Sequence, residues 1–244
     1  MRNIKVIMAY NGAGYHGYQR QNNGDTIQQT VEEALSKLLR EEIVINGCSR
    51  TDAGVHAREY IFNFKTENPI SCEGLLKGTN DLLPEDIAFL EVCEEREDFH
   101  ARFDCKGKEY EYVIHNSTVK NPFYADTVMR YKYPLDEKML DLEAKAFIGR
   151  QDFKSFCSAE CDKEDTTRTI YSFDVVREND LVKMRVSGDG FLYNMVRIMV
   201  GTLVCINEGK IEKGKIKEII EQKDRTKAGI TVVPDGLYLN KVFY

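Results

Sequence analysis

One segment of the sequence carries ionisable side chains at an unusually short spacing. Residues 48–57 read CSRTDAGVHA and put Arg50, Asp52 and His56 within seven positions, directly after an apolar run. A carboxylate there can act as a nucleophile or base, while the arginine and histidine supply charge to a ligand. The alternative is a plain Asx-turn, because Asp-Ala-Gly is a common connection between strands. From spacing alone, the turn is favoured.

A second candidate is an arginine in a strongly apolar stretch that is predicted to be helical from residue 192. Four residues recur at intervals of four, three and four and share one stripe: Gly190, Asn194, Arg197 and Gly201. The two glycines would let another backbone approach closely. A guanidinium on an apolar helix needs a charged partner or a route to water. We expect Arg197 either to pair with a carboxylate and keep it ionised, or to reach the surface along its aliphatic stem.

A third candidate is the alternating sequence KEYEY at residues 108–112, which is typical of a strand. Tyrosines at alternate positions usually pack at the edge of a core, and this is expected for Tyr112. Tyr110 can equally serve as a platform for a flat base.

The loop after the first predicted strand contains Gly12-Ala-Gly14-Tyr-His-Gly17, which has the form G-x-G-x-x-G. No helix is predicted to open at Gly17, and no acidic residue stands where a dinucleotide fold needs one, near Lys37. A nucleotide-dependent oxidoreductase is therefore not favoured. The loop instead carries side chains that stack and hydrogen-bond, as in the recognition of single-stranded RNA. They are Tyr15, His16, Tyr18, Gln19, Arg20 and Gln21.

Hydrophobic periodicity predicts an α+β fold. Strands are expected at 4–10, 42–48, 60–64, 87–92, 108–114, 170–177, 181–187 and 237–243. Helices are expected after the capping box at 26–29, and at 72–82, 136–148, from 192 and at 213–222. This order indicates two similar halves, 1–105 and 106–244, each with an antiparallel sheet flanked by helices.

The composition narrows the class of protein. The hydrophobic fraction of 42% and the charged fraction of 30% are ordinary for a soluble globular protein. Neither a membrane-spanning run nor a signal peptide is found, so a cytoplasmic location is expected. Seven scattered cysteines favour free thiols. The close pair Cys157 and Cys161 lacks further ligands for a metal site.

The net charge of −6 argues mildly against a nucleic-acid partner. The charges are unevenly distributed, however, and basic residues flank the candidate segments, so a local basic cleft is compatible with the sequence. These residues are Arg20, Arg50, Arg58, Arg102, Lys106 and Lys108.

In order and spacing, these segments resemble the TruA family of tRNA pseudouridine synthases over nearly the whole chain. RTDAGVHA at 50–57 is the most specific match, with Asp52 at the family's catalytic aspartate. Tyr110 is similar to the active-site tyrosine, and FLYNMVR at 191–197 to the third active-site segment. Further similar segments are YNG at 10–12, YHGYQRQ at 15–21, LPEDI at 83–87, FHARF at 99–103 and DFKSF at 152–156.

The resemblance implies that Asp52 attacks a uridine, or triggers its glycosidic cleavage, so that the base rejoins through C5. It implies Tyr110 and Arg197 as the other catalytic residues, in a cleft between the halves, with Tyr110 also binding the base. The implied substrate is the anticodon arm of tRNA, at tRNA positions 38, 39 and/or 40. The resemblance implies no cofactor, no metal and no membrane association. It does imply a homodimer. The remaining substrate-binding candidates are Arg50, Arg58, His56, Gln19, Arg20 and Gln21.

Four residues depart from the family pattern. Ser49 stands at a usual glycine, Tyr60 at a glutamine, Asn11 at a common aspartate and Tyr18 at a common tryptophan. Such changes near the RNA-facing loops leave open a paralogue that acts on another RNA, such as ribosomal RNA. A non-catalytic RNA-binding protein is a further alternative.

Overall fold

The computed structural model describes residues 1–22, 24–158 and 164–244. These residues form two compact units. The first unit comprises Met1–Lys106 together with Tyr238–Tyr244, and the second comprises Gly107–Leu237. The last segment of the chain therefore belongs with the first unit.

In the first unit, four strands lie side by side in the order β4-β1-β3-β10. Neighbouring strands run antiparallel except β3 and β10, which are parallel. A short strand, β2, pairs with β3 through Asn46 and Gly47. The strands are β1 (Arg2–Tyr10), β2 (Asn46–Gly47), β3 (His56–Thr66), β4 (Ile87–Glu95) and β10 (Leu237–Phe243).

Two helices belong to the first unit, α1 (Ile27–Leu39) and α2 (Cys72–Asn80). The Thr26 side chain caps α1 by accepting a hydrogen bond from the Gln29 amide, as the capping box predicts. Ser71 caps α2 through Gly74. The buried face of α1 is apolar except for Glu32.

The second unit contains an antiparallel sheet in the order β5-β9-β8-β7. Its strands are β5 (Gly107–His115), β6 (Met129–Arg130), which pairs with β5, β7 (Gly149–Asp152), β8 (Thr167–Glu178) and β9 (Leu181–Gly188). Its helices are α3 (Glu137–Ala144), α4 (Met195–Asn207) and α5 (Ile216–Gln222). The α+β prediction is confirmed, and most strand pairs are antiparallel as expected, but β10 with β3 and β6 with β5 pair in parallel.

The strand predicted at 42–48 is largely wrong, because only Asn46–Gly47 is a strand. The amides before it hydrogen-bond to side chains of α1 instead of to another strand. The Ile43 amide donates to the Ser36 hydroxyl at 2.9 Å, and the Ile45 amide donates to Glu32 at 3.2 Å. The apolar alternation therefore reflects packing against a helix.

Four predicted helices differ from the observed helices at their ends. The helix predicted at 72–82 ends at Asn80, and the helix predicted at 213–222 begins at Ile216. The helix predicted at 136–148 ends at Ala144 and continues as a 3₁₀ turn, Lys145–Phe147. The helix predicted from 192 begins at Met195, because Asn194 adopts a left-handed conformation with φ 59°.

Among the residues that the structure describes, Cys48, Cys72, Cys93, Cys105 and Cys205 are not in disulfide bonds. Cys157 is disulfide-bonded, which corrects the expectation of a free thiol at that position. Cys161 lies outside the described residues. Among the helices within the described ranges, none has the length and apolar character needed to cross a membrane.

Candidate active site

Asp52 begins a tight turn that leads into β3. Its carbonyl oxygen accepts a hydrogen bond from the Val55 amide at 3.2 Å. Gly54, the third residue of the turn, has φ +76°, as a type II turn requires. This backbone hydrogen bond closes the turn and restricts the position of Cα of Asp52, a residue that is half-buried.

The glycine-rich loop of residues 11–26 packs against this turn. The Tyr18 amide donates to the Thr51 carbonyl at 3.0 Å, and the Gly54 amide donates to the Tyr15 carbonyl at 3.4 Å. Gly17 has φ +93°, and a Cβ atom there would lie 2.9 Å from the Thr51 oxygen and 3.3 Å from the Asp52 carbonyl carbon. The loop thus supports the Asp52 backbone. In its described residues, 11–22 and 24–26, no helix opens at Gly17, and α1 begins at Ile27.

His56 is buried, with 1% of its surface exposed. Its Nδ1 accepts a hydrogen bond from the Gly12 amide at 3.0 Å, and its ring stacks on Tyr238 with 4.7 Å between centroids. A Cβ atom on Gly12 would lie 2.0 Å from the Val55 oxygen, so only glycine permits this approach. Through these contacts, His56, the first residue of β3, holds the glycine-rich loop against this strand. Its role in substrate binding stays a prediction.

The other substrate-binding candidates of the first unit lie on its surface. Arg50 and Gln19 are exposed. The Arg20 guanidinium pairs with Glu32 at 3.1 Å, and Gln21 donates to the His16 carbonyl at 3.0 Å.

Arg58 is also exposed and is held by β10. Its guanidinium lies 4.3 Å from the centroid of the Tyr238 ring and donates to Asn240 at 2.9 Å. Cation–π stacking of this kind orients the guanidinium plane while leaving its edge able to donate hydrogen bonds. Tyr238 thus contacts both His56 and Arg58.

In the second unit, Arg197 differs in burial from its neighbours in α4. Every residue from Met195 to Ile206 is buried except Arg197, which is half-buried. Its Nε donates to the Val232 carbonyl and its Nη1 donates to the Asn194 side-chain oxygen, both at 2.7 Å. Asn194 is in turn held by the Ser158 hydroxyl at 2.8 Å. Two acceptors thus fix the plane of the guanidinium.

The segment that contains Val232 packs closely against α4, which places the Val232 carbonyl next to Arg197. A Cβ atom on Gly201 would lie 1.8 Å from the Ile230 oxygen, and the Gly229 amide donates to Thr202 at 2.9 Å. The predicted close approach at Gly201 is therefore present. Gly190 precedes the helix and is not on its stripe, because the left-handed Asn194 separates the two.

Tyr110 lies on β5 opposite Val186 and is 7% exposed. Its ring meets Phe191 edge to face, with 5.1 Å between centroids. Tyr112 is fully buried, as expected, and its hydroxyl donates to the Val233 carbonyl at 2.7 Å. Burial raises the pKa of the Tyr112 hydroxyl. Tyr112 thereby connects β5 to the segment that holds Arg197.

The family model for tRNA pseudouridine synthase matches residues 6–104 and 144–244. The chain belongs to the tRNA pseudouridine synthase family. It is 45% identical over 244 residues to tRNA pseudouridine synthase A 2 of Clostridium perfringens (strain 13 / Type A), and the match covers the whole of both chains. It is 40% identical over 244 residues to tRNA pseudouridine synthase A of Thermoanaerobacter sp. (strain X514), again over both whole chains.

Among solved structures, the archaeal box H/ACA sRNP Nop10–Cbf5 complex matches with a TM-score of 0.39 and 12% identity. That match covers 83% of this chain and 42% of the other chain. The resemblance to the tRNA pseudouridine synthase family that the motifs indicate is confirmed by the family model and the full-length relatives.

The residues that hold the two candidate site arginines, Arg58 and Arg197, were not predicted from the sequence to do so. Tyr238 and Asn240 hold Arg58, and Asn194 and Val232 hold Arg197. The regular three-residue spacing of Asn194 and Arg197 was the one signal that pointed to such a contact.

Within the described ranges, no three His, Cys, Asp or Glu side chains are grouped so that they could hold a metal ion.

Proposed function

We propose that the protein isomerises uridine to pseudouridine in the anticodon arm of tRNA. The observation that carries this proposal is Asp52 in the motif RTDAGVHA, fixed in a backbone-closed turn within a chain of the tRNA pseudouridine synthase family. The relatives at 40% and 45% identity are named tRNA pseudouridine synthases, which supports tRNA as the class of substrate.

In the proposed reaction the Asp52 carboxylate attacks the target uridine, or triggers cleavage of its glycosidic bond. The bond between N1 and C1′ breaks, the uracil rotates, and a bond forms between C5 and C1′. Where Asp52 has bonded covalently to the nucleotide, that bond breaks in turn and returns the free carboxylate. The proton on C5 leaves and N1 takes up a proton, so the product has the same atoms as the substrate. The isomerisation balances without an oxidant or a cofactor.

We propose that Arg197 and Tyr110 act with Asp52 on the same uridine. Arg197 is oriented by Asn194 and Val232, so a carboxylate can meet a preset guanidinium plane. Such pairing favours the ionised form that attack requires. The edge-to-face contact with Phe191 fixes the Tyr110 ring, which suits stacking on uracil and help with removal of the C5 proton.

Exposed Arg50 and Arg58, together with Gln19, Arg20 and Gln21, are proposed to bind the RNA backbone and guide a flipped nucleotide. The arginines supply the local positive charge that a chain of net charge −6 lacks on average. We further propose a homodimer that acts in the cytoplasm. Light scattering of the purified protein tests the dimer, because a monomeric mass contradicts it.

The test uses tRNA transcripts that carry tritium at C5 of uridine. Native protein is expected to release tritium, while Asp52→Asn releases none. Asp81→Asn, an exposed aspartate after α2, is the matched control and should retain native release. Mapping of the modified positions then reports whether they lie in the anticodon arm.

Two outcomes would redirect the proposal. Release from ribosomal RNA but not from tRNA would indicate a paralogue with another substrate. Equal RNA binding by native protein and Asp52→Asn, with no release from either RNA, would indicate a non-catalytic RNA-binding protein.

A further inference from the structure

A buried tyrosine on β3 holds the segment that leads to Asp52. Tyr60 is 0% exposed, and its hydroxyl donates to the Ser49 carbonyl at 2.5 Å. The same hydroxyl oxygen accepts a hydrogen bond from the Ser49 amide at 3.4 Å. One side-chain group therefore engages both polar groups of the Ser49 backbone, three residues before Asp52.

Tyr60 is part of a group of three aromatic rings, which we call the tyrosine cluster: Tyr10, Tyr18 and Tyr60. Tyr18 stacks on Tyr60 with 4.5 Å between centroids, and Tyr10 lies 5.7 Å from Tyr60. A Cβ atom on Gly47 would lie 2.2 Å from the Tyr60 hydroxyl oxygen and 2.4 Å from that of Tyr18. A side chain at position 47 would therefore displace both hydroxyl groups.

The tyrosine cluster contacts the residues immediately before Asp52 at two further points. The Tyr10 hydroxyl hydrogen-bonds the Thr51 hydroxyl at 2.8 Å, and the Tyr18 amide donates to the Thr51 carbonyl at 3.0 Å. Ser49 and Thr51 are thus both fixed by tyrosines, on either side of exposed Arg50. Each contact limits the freedom of the backbone from which Asp52 projects.

We propose that Tyr60 is a positioning residue for Asp52, acting through its hydroxyl group on the Ser49 backbone. The inference rests on the proposed function of Asp52 as the attacking group. Catalysis by an oriented carboxylate is sensitive to small displacements, so a looser Ser49 lowers the rate of the chemical step more than the binding of RNA.

The cluster supplies its own control. Within the residues that the structure describes, the Tyr18 hydroxyl faces the Tyr60 hydroxyl and makes no hydrogen bond to the segment before Asp52, whereas the Tyr60 hydroxyl binds Ser49. Both rings are buried and stacked on each other. Tyr60→Phe and Tyr18→Phe therefore remove the same atom from the same cluster, but only Tyr60→Phe removes bonds to the segment before Asp52.

The experiment measures single-turnover pseudouridine formation at saturating tRNA, together with the Kd for the same tRNA. Tyr60→Phe is expected to lower the rate by roughly 10- to 100-fold with an unchanged Kd. Tyr18→Phe should lower the rate much less than Tyr60→Phe does, because it removes no hydrogen bond to Ser49. A native rate in Tyr60→Phe, or equal losses in the two variants, would overturn the proposal.

Hydrogen exchange separates this inference from the proposed function. Amides of residues 49–54 are expected to exchange faster in Tyr60→Phe than in Tyr18→Phe or the native protein. If native protein makes no pseudouridine, the proposed function of Asp52 fails, and the exchange rates still decide whether Tyr60 fixes this segment. Identical exchange in the two variants would show that it does not.

Discussion

The backbone amide of Gly12 donates a hydrogen bond to Nδ1 of His56 at 3.0 Å, across 44 residues of sequence. Nδ1 is therefore an acceptor, and the neutral ring carries its proton on Nε2. Because the Tyr238 ring covers one face of the imidazole, this contact joins the glycine-rich loop, β3 and β10 at one point.

Replacement of His56 is expected to destabilise the fold. His56→Ala leaves the buried Gly12 amide without its acceptor and removes a ring from beneath Tyr238. The free energy of unfolding should fall by about 1–3 kcal/mol, the usual cost of an unsatisfied buried group. Urea denaturation measures the change. Exposed His16→Ala is the control and should change stability by less than about 0.5 kcal/mol.

Gly17 and Gly14 should respond differently to the same substitution. Gly17→Ala places a methyl group 2.9 Å from the Thr51 oxygen at a residue with φ +93°, so it should displace Asp52 and cost about 1–3 kcal/mol. Gly14→Ala meets nothing within 4 Å.

Tritium release and thermal unfolding measure both glycine variants. We expect loss of activity and stability in Gly17→Ala and near-native values in Gly14→Ala. Native turnover by Gly17→Ala would contradict the close fit between this loop and the Asp52 turn.

Removal of the Asn194 side chain should impair catalysis more than stability. Asn194→Gly retains a residue that accepts φ 59° but removes the oxygen that receives the Nη1 hydrogen bond of Arg197. The loss of one charge-assisted hydrogen bond predicts a fall in kcat of about 10-fold. Asn179→Gly, at φ 57° between β8 and β9, is the matched control. An unchanged kcat would show that the Asn194 oxygen is not needed to orient Arg197.

The shifted pKa of the Asp141 carboxyl group predicts how the free energy of unfolding changes with pH. Burial raises the pKa of its carboxyl group, but hydrogen bonds from Lys145 and the Val175 amide lower it, and the net pKa lies below the usual value. The stabilisation from Asp141 is therefore present above the carboxyl pKa of the unfolded chain. It is lost as the pH falls through the folded-state pKa.

Asp141→Asn should accordingly reduce the free energy of unfolding near neutral pH and flatten its decline in acid. Urea denaturation at several pH values measures both effects. Glu85→Gln, an exposed carboxylate after α2, is the control and should keep the native pH profile. A parallel shift of the Asp141→Asn curve at every pH would contradict the ionic origin of the effect.

Local sequence patterns predict much of the fold, because the forces involved act between near neighbours. The alternation in β1, β5 and β9 and the cap of α1 fall into this group. Residues 42–48 mislead because their apolar alternation is real, while their amides bind Ser36 and Glu32 of α1. Sequence periodicity does not report the hydrogen-bond partner.

The candidate site likewise has features that the local sequence predicts and features that depend on residues distant in the sequence. The motif around Asp52 and the isolation of Arg197 are visible in the sequence, because unusual residue types stand at short spacing. The burial of His56 and the orientation of Arg58 depend on Tyr238, far along the chain. The contact of Tyr60 with Ser49 likewise depends on which face of β3 the Tyr60 side chain occupies and on the path of the chain after β2, and the local sequence pattern specifies neither.

The return of β10 to the first unit sets an order of maturation on the ribosome. Residues 1–106 emerge first, yet Tyr238–Tyr244 of the same unit emerge only after the whole of Gly107–Leu237. Until then, β3 lacks its parallel neighbour at His56 and Ala57, and Arg58 lacks the Tyr238 ring. The nascent chain must therefore keep an open strand edge from associating with other chains throughout synthesis of the second unit. The unit that is translated first is completed last.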